Sequence, residues 1–142
     1  MKNLKLPVFL FIALSFAAPL TAQTAAKLES LLETPVLSWE EAAAFVMEAA
    51  EIETMPGGHN KWLQKKFIPG GDARLDGIAL LLMESFELKG GIFYSIAKSP
   101  HHAYRELVYK NVIGGNSDPD MRVSGPQLLT MLSRILAMKE QP

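Results

Sequence analysis

His102 and Glu106 stand one helical turn apart, the spacing at which an imidazole and a carboxylate can share a metal ion or a proton. No third ligand stands at a matching spacing, so they read as an exposed pair on one helix face and not as a zinc site. Asn116, Asp118, Asp120 and Ser124 fall at the first, third, fifth and ninth places of a calcium-loop spacing. The sixth place is Met121 where glycine makes the turn, the twelfth is Gln127 where a bidentate glutamate belongs, and Pro119 stiffens the middle. A turn with side-chain caps is the better reading. His59, in a Gly57-Gly58-His59-Asn60 turn, reads as solvent-facing, and Ser99-Pro100-His101 has no context for a nucleophile. Glu84 and Glu106 are the acids that glycan hydrolysis would need in a cleft, yet both read as lying on solvated faces. The sequence therefore nominates no catalytic residue, metal ligand or cofactor.

Trp62, Phe93, Tyr94, Tyr104 and Tyr109, with Arg105, form a set of a different kind. Aromatic rings with a guanidinium can stack on sugars or anchor a protein partner, although rings at helical spacing usually fill a core. Tyr109 is the best outsider, because Ala103 and Leu107 already supply the buried stripe of its helix. The candidate ligand- or partner-binding residues are Tyr104, Arg105, Tyr109, Trp62 and Arg122.

Helical periodicity dominates the segments that must position these groups. From Ser38, a serine N-cap with Glu41 three places on makes a capping box, and Ala42, Phe45, Val46, Ala49 and Ala50 form one face. Met55-Pro56-Gly57-Gly58 is the expected stop. A short amphipathic helix over 60–67 ends at Pro69-Gly70-Gly71. Residues 76–88 are apolar on almost every side and predict a centrally buried helix, stopped by Gly90-Gly91. Residues 91–97 lean helical. Ser99 caps a helix over 100–111 with Pro100 at its first position, closed by Val112-Ile113-Gly114-Gly115. Ser124 caps a last helix carrying Leu128, Leu129, Leu132, Ile135 and Leu136. The predicted fold class is a small all-α multi-helix bundle.

Three of these helices open alike. Val36-Leu37-Ser38-Trp39, Arg74-Leu75-Asp76-Gly77 and Arg122-Val123-Ser124-Gly125 each put an aliphatic residue before a capping serine or aspartate, at spacings of 38 and 48 residues. The last unit runs from His102 through Lys110-Asn111-Val112-Ile113-Gly114-Gly115 and Asn116-Ser117-Asp118-Pro119-Asp120 into Val123-Ser124 and Leu128-Leu129. It resembles the S-layer homology repeat, a helix ending in an aliphatic-Ile-x-Gly turn, a loop with Asp or Pro, and a second helix opening Val-Thr-Arg-Ala-Glu. The clearest repeat covers residues 99–138, a degenerate copy covers about 60–90, and 35–52 reads as the closing helix of a third. The resemblance implies a bundle of helix-loop-helix repeats that attaches an exported protein to cell-wall polysaccharide through the arginine of the Thr-Arg-Ala-Glu stretch. Here that stretch is Ser124-Gly125-Pro126-Gln127, without the arginine and the glutamate.

The amino-terminal residues read as an export signal: Lys2 and Lys5, an unbroken apolar run over 6–20, and Thr21-Ala22-Gln23. The run is shorter than the about 20 residues that span a bilayer and holds Pro7 and Pro19, so cleavage after Ala22 is preferred to a retained anchor. Removing residues 1–22 takes away two lysines and no acid, leaving 12 basic against 15 acidic residues and a net charge of −3. That balance argues against nucleic-acid binding. Absence of cysteine excludes disulfides and thiolate metal centres. The expectation is an exported, non-catalytic module of the periplasm or cell envelope, residues 23–142, binding cell-wall polysaccharide or peptidoglycan or an envelope protein, with self-association to complete worn repeats. A protein adaptor without a glycan ligand is the alternative, and a small glycan-acting enzyme the third.

Overall fold

The computed structural model describes residues 17–56 and 60–141. The basic start, most of the apolar run and His59 lie outside the described residues. The chain divides into two units, residues 1–33 and 34–142. In the first, α1 (Ala17–Glu33) is one unbroken helix that passes through the expected processing position at Ala22. No described helix is long and apolar enough to cross a membrane.

The second unit is an all-α bundle of α2 (Trp39–Ala49), α3 (Lys61–Lys66), α4 (Leu75–Ser85), α5 (Ile92–Ile96), α6 (Pro100–Tyr109) and α7 (Gly125–Glu140). The run Ile78-Ala79-Leu80-Leu81-Leu82-Met83 has no polar face to turn to water, so α4 takes the centre, where all six residues are at most 1% exposed. It packs against α2, α3 and α6, while α7 lies on α2 and α5 on α6. The stripe of α2 is rotated from the expected one. Trp39, Ala42, Ala43 and Val46 are buried, whereas Phe45, Ala49 and Ala50 are only partly covered, because the Trp39 ring draws the first turn inward.

Three loops, leading into α2, α4 and α7, meet in a ring of main-chain hydrogen bonds. The Leu37 N–H donates to the Val123 carbonyl (2.9 Å), Val123 N–H to Ala73 (2.9 Å), and Ala73 N–H to Leu37 (2.8 Å). A second set runs the opposite way round. The first N–H of each helix donates to the next loop: Trp39 to Gly71 (3.0 Å), Leu75 to Met121 (2.9 Å), and Gly125 to Thr34 (2.9 Å). These bonds satisfy donors that a helix start leaves without internal partners. Beneath the ring, Leu37, Ala73 and Val123 and the residues five places on, Ala42, Ile78 and Leu128, are all at most 1% exposed. Each pair stands at the staple positions that fix a chain's entry into its helix.

The ring corrects the register of the middle one of the three similar helix openings. The position equivalent to Ser38 and Ser124 is Arg74, not Asp76, and the intervals are 36 and 50 residues. Ser38 and Ser124 cap through their hydroxyls, with Glu41 and Gln127 completing capping boxes. Arg74 makes no side-chain cap. Asp76, already inside α4, donates its N–H to Pro119, accepts from Gly77 N–H (2.7 Å), and pairs with Lys66 (2.8 Å). Carbonyls of the distant 118–121 turn thus replace a local cap.

Helix ends also differ from expectation. Residues Glu51, Glu87 and Asn111 take left-handed backbone angles (φ 56°, 50° and 59°) and stop α2, α4 and α6 before the glycine pairs. Each ends in the same double bond pattern, for example Leu88 N–H to Met83 and Glu87 N–H to Glu84. Apolar residues after each stop, Leu88 and Val112 among them, favour it over continuing to glycine.

Gly77 lies against the Trp39 ring, and a Cβ there would stand 2.5 Å from Cζ2 and 2.6 Å from Cη2. Gly77→Ala is expected to cost about 1–3 kcal/mol through displacement of the buried indole, read as a lower melting temperature with a red-shifted tryptophan emission. The Gly70 N–H donates to the Glu40 carboxylate (2.8 Å) and holds its pKa below the ordinary value. A depressed carboxylate contributes stability above its unfolded pKa and loses it as pH falls through the folded one. Glu40→Gln is therefore expected to make thermal stability less steeply dependent on pH on the acid side, measured by melting at successive pH values.

Candidate functional site

The residues singled out for binding are divided among separate elements. Tyr104 is partly buried on α6, and its hydroxyl donates to the Ser117 carbonyl, so it props the 114–118 turn. Arg105 is exposed on the same helix, and Tyr109, four residues on, is 84% exposed. Trp62 lies on α3 with the Lys61 and Lys65 ammonium groups 5.5 and 5.9 Å from its ring centroid, which places cations where a sugar would stack. Arg122 pairs with Asp72 (3.1 Å) while Arg74 faces Asp120 (3.8 Å), a crossed pair across an isolated antiparallel bridge between two loops of the ring. The repeated Asp-x-Arg triplets at 72–74 and 120–122 are the sequence signal for this pairing. Of the remaining rings, Tyr94 is buried, as a core aromatic should be, but Phe93 is exposed.

The Asn116-to-Ser124 segment is a capped turn. Asp118 accepts from Asp120 N–H (2.9 Å), Asp120 faces Arg74, and Ser124 caps α7. Among the described residues no group of three or more His, Asp and Glu is placed to hold a metal ion.

Glu84 and Glu106 are tied into the structure. Glu106 accepts from Gly91 N–H (2.7 Å) at the start of α5. Glu84 accepts from Asn60 (3.2 Å) and from the Tyr94 hydroxyl (3.5 Å) beside a cavity of about 500 Å³. Burial first, and then the adjacent Glu84 charge, push the Tyr94 hydroxyl well above its ordinary pKa, so it stays protonated and donates.

A second cleft, of about 350 Å³, lies between the turn after α6 and the first half of α7. Leu75, Val112, Ile113 and Met131 supply apolar surface, and Ser117, Gln127, Thr130 and Arg134 supply polar groups. Gln127, Thr130 and Arg134 project along one side of α7 at helical spacing. The guanidinium of Arg134 donates to the Asn111 (3.4 Å) and Val112 (3.1 Å) carbonyls, which fixes it over the end of α6. Sequence reasoning passed over Arg134. The signal was its place seven residues after Gln127, two turns along one helix face. Pro126 and Gln127, which line the same cleft, belong to the stretch compared above with Thr-Arg-Ala-Glu.

No family model, curated protein or solved structure matches this chain. Tyr104→Phe is expected to cost about 1 kcal/mol, the net worth of its hydrogen bond to Ser117, and to quicken amide exchange across 114–118 while leaving α4 protected, as measured by hydrogen exchange.

Proposed function

We propose that the protein is a non-catalytic module of the bacterial cell envelope with an S-layer-homology-like arrangement of repeats, and that it binds envelope glycan in the cleft beside α7. The observation that carries this reading is the position of that cleft. It is lined by the start of α7, where the resembled family places its binding stretch, and Arg134 brings to it the guanidinium that Ser124-Gly125-Pro126-Gln127 lacks. Shape and chemistry suit a sugar. Apolar floor meets the carbon face of a ring, while the Ser117 hydroxyl, the Gln127 amide nitrogen that its cap leaves over, the Thr130 hydroxyl oxygen and the Arg134 guanidinium meet hydroxyl or carboxylate groups.

The closed ring of three loops supports the same reading, because it joins three helix starts within one chain. On this view no second copy is needed to complete the bundle. In this reading residues 1–22 are an export signal and the module works in the periplasm or at the envelope, where peptidoglycan and wall polysaccharides are the available polymers. Glu84 and Glu106 serve as anchors in this reading, and turnover is not part of it.

Co-sedimentation with purified sacculi tests the proposal. The exported protein is expected to pellet with them, and Arg134→Ala to weaken binding about tenfold, in line with loss of a charge-assisted hydrogen bond. Melting curves report any loss of the Arg134 contact to α6 separately. Tyr109→Ala and Arg105→Ala, outside the cleft lining, are expected to bind as wild type. Failure of the unmodified protein to pellet, with capture of a defined envelope protein instead, would make it an adaptor.

A further inference from the structure

We propose that the cavity beside Tyr94 binds a small zwitterion, an amino acid or short peptide, with its ammonium between Glu84 and Glu87 and its carboxylate on Lys98. The cavity has a volume of about 500 Å³ and shares no lining residue with the α7 cleft. Pro56, Met83, Leu88 and the Tyr94 ring give it apolar wall. Glu84, Glu87 and Lys98 are the charged groups that line it. Apolar surface joined to a few groups of both signs is the makeup of a site for a small charged molecule with a hydrocarbon side chain.

The two carboxylates stand where helix stability alone would not put them. Glu84 lies in the last turn of α4 and Glu87 just beyond its end, at the negative pole of a helix whose last turn carries no basic residue. Glu87 also holds the left-handed backbone angle (φ 50°) that closes the helix. From α6, Glu106 adds its negative charge at the Tyr94 hydroxyl. Lys139 reaches the Phe86 carbonyl at the same helix end, but neither it nor Lys89 lines the cavity. Acids at this pole repel the helix dipole, and a ligand ammonium between them turns that repulsion into attraction.

Glu84 is held in position for such a group. The Asn60 amide oxygen caps α3, accepting from the Trp62 N–H (3.0 Å) and the Leu63 N–H (3.3 Å), while its nitrogen donates to Glu84 (3.2 Å) and to the Lys98 carbonyl (3.0 Å). One side chain thus ties the start of α3, the end of α4 and the loop after α5 together. The Asn60 nitrogen and the Tyr94 hydroxyl meet the same Glu84 oxygen, Oε1. Among the described residues Oε2 accepts no hydrogen bond, and neither the Glu87 carboxylate nor the Lys98 ammonium makes an ion pair. Opposite charges on one cavity that do not pair with each other are matched by a molecule that carries both signs. A simple amine would meet the carboxylates and also the repulsion of Lys98. A metal ion lacks a third ligand among the described residues.

Titration calorimetry on the whole chain tests the proposal with L-leucine and leucyl-leucine as probes. Isopentylamine, which is leucine without its carboxylate, and isocaproate, which is leucine without its amine, are the controls. Leucine or the dipeptide is expected to bind saturably, the tighter of the two naming the source of the zwitterion. Isopentylamine is expected to bind about fivefold more weakly than leucine, and isocaproate not measurably. Glu87→Gln is expected to weaken leucine and isopentylamine alike, by about fivefold. Lys98→Met is expected to weaken leucine by about fivefold and to leave isopentylamine no weaker. Glu84→Gln keeps an amide oxygen for Asn60 and Tyr94 and is expected to weaken leucine about tenfold, with a melting curve reporting any effect on folding. No saturable binding of leucine or the dipeptide at millimolar concentration overturns the proposal, as does equal binding by wild type, Glu87→Gln and Lys98→Met. Isopentylamine binding as tightly as leucine also overturns it, and leaves the cavity a plain amine site. Sacculus binding is read separately, because none of these variants touches the α7 cleft.

Discussion

Main-chain hydrogen bonds among three loops are the constraint on which this bundle rests. Leu37, Ala73 and Val123 each give an N–H to one neighbour and a carbonyl to the other, so no loop can leave without orphaning a donor and an acceptor in a buried place. The bonds set the origin and direction of α2, α4 and α7 together. Side-chain size then follows from position: Trp39 can enter the core because α4 offers Gly77 opposite it. The identities of Leu37, Ala73 and Val123 matter less than their peptide groups, which explains how three dissimilar sequences can make equivalent junctions.

The same geometry accounts for what lies between the ring and the surface. The 118–121 turn caps α4 through its carbonyls and also contributes Asp120 to Arg74. Tyr104 secures the neighbouring 114–118 turn from α6. The wall of the α7 cleft is thus supported from two directions, and Arg134 ties its far side to the end of α6. A polar site on such a wall keeps its groups in place without contributions from a mobile segment.

Much of the fold was legible because its signals are local. Ser38 with Glu41, Ser99 with Pro100, and Ser124 each act within four residues, and the unrelieved apolar run of α4 announces its own burial. Asp76 misled because an aliphatic-Asp pair has the form of a cap, while the true cap comes from carbonyls more than 40 residues away. Gly90-Gly91 and Gly114-Gly115 misled because glycine usually marks a helix end, whereas Glu87 and Asn111 accept the left-handed turn. The candidate site was less legible still. Tyr104, Trp62 and Arg122 have the right chemistry but are committed to Ser117, two lysines and Asp72, and only three-dimensional contacts reveal that. Arg134 lies beyond the first turn of α7, and its contacts to the Asn111 and Val112 carbonyls join residues more than 20 positions apart, which no local pattern records.

A ring closed by residues 37, 73 and 123 also has an order in time. Until Val123 has left the ribosome, the first two loops have only each other, and the Leu37 N–H and Ala73 carbonyl have nothing to bond but water. Without the third loop the ring is open, and isolated helices of this length are marginal in water, so such a chain is one that chaperones can hold extended. Completion of the ring waits on one short stretch, residues 121–125, which holds bonds to both of the other loops.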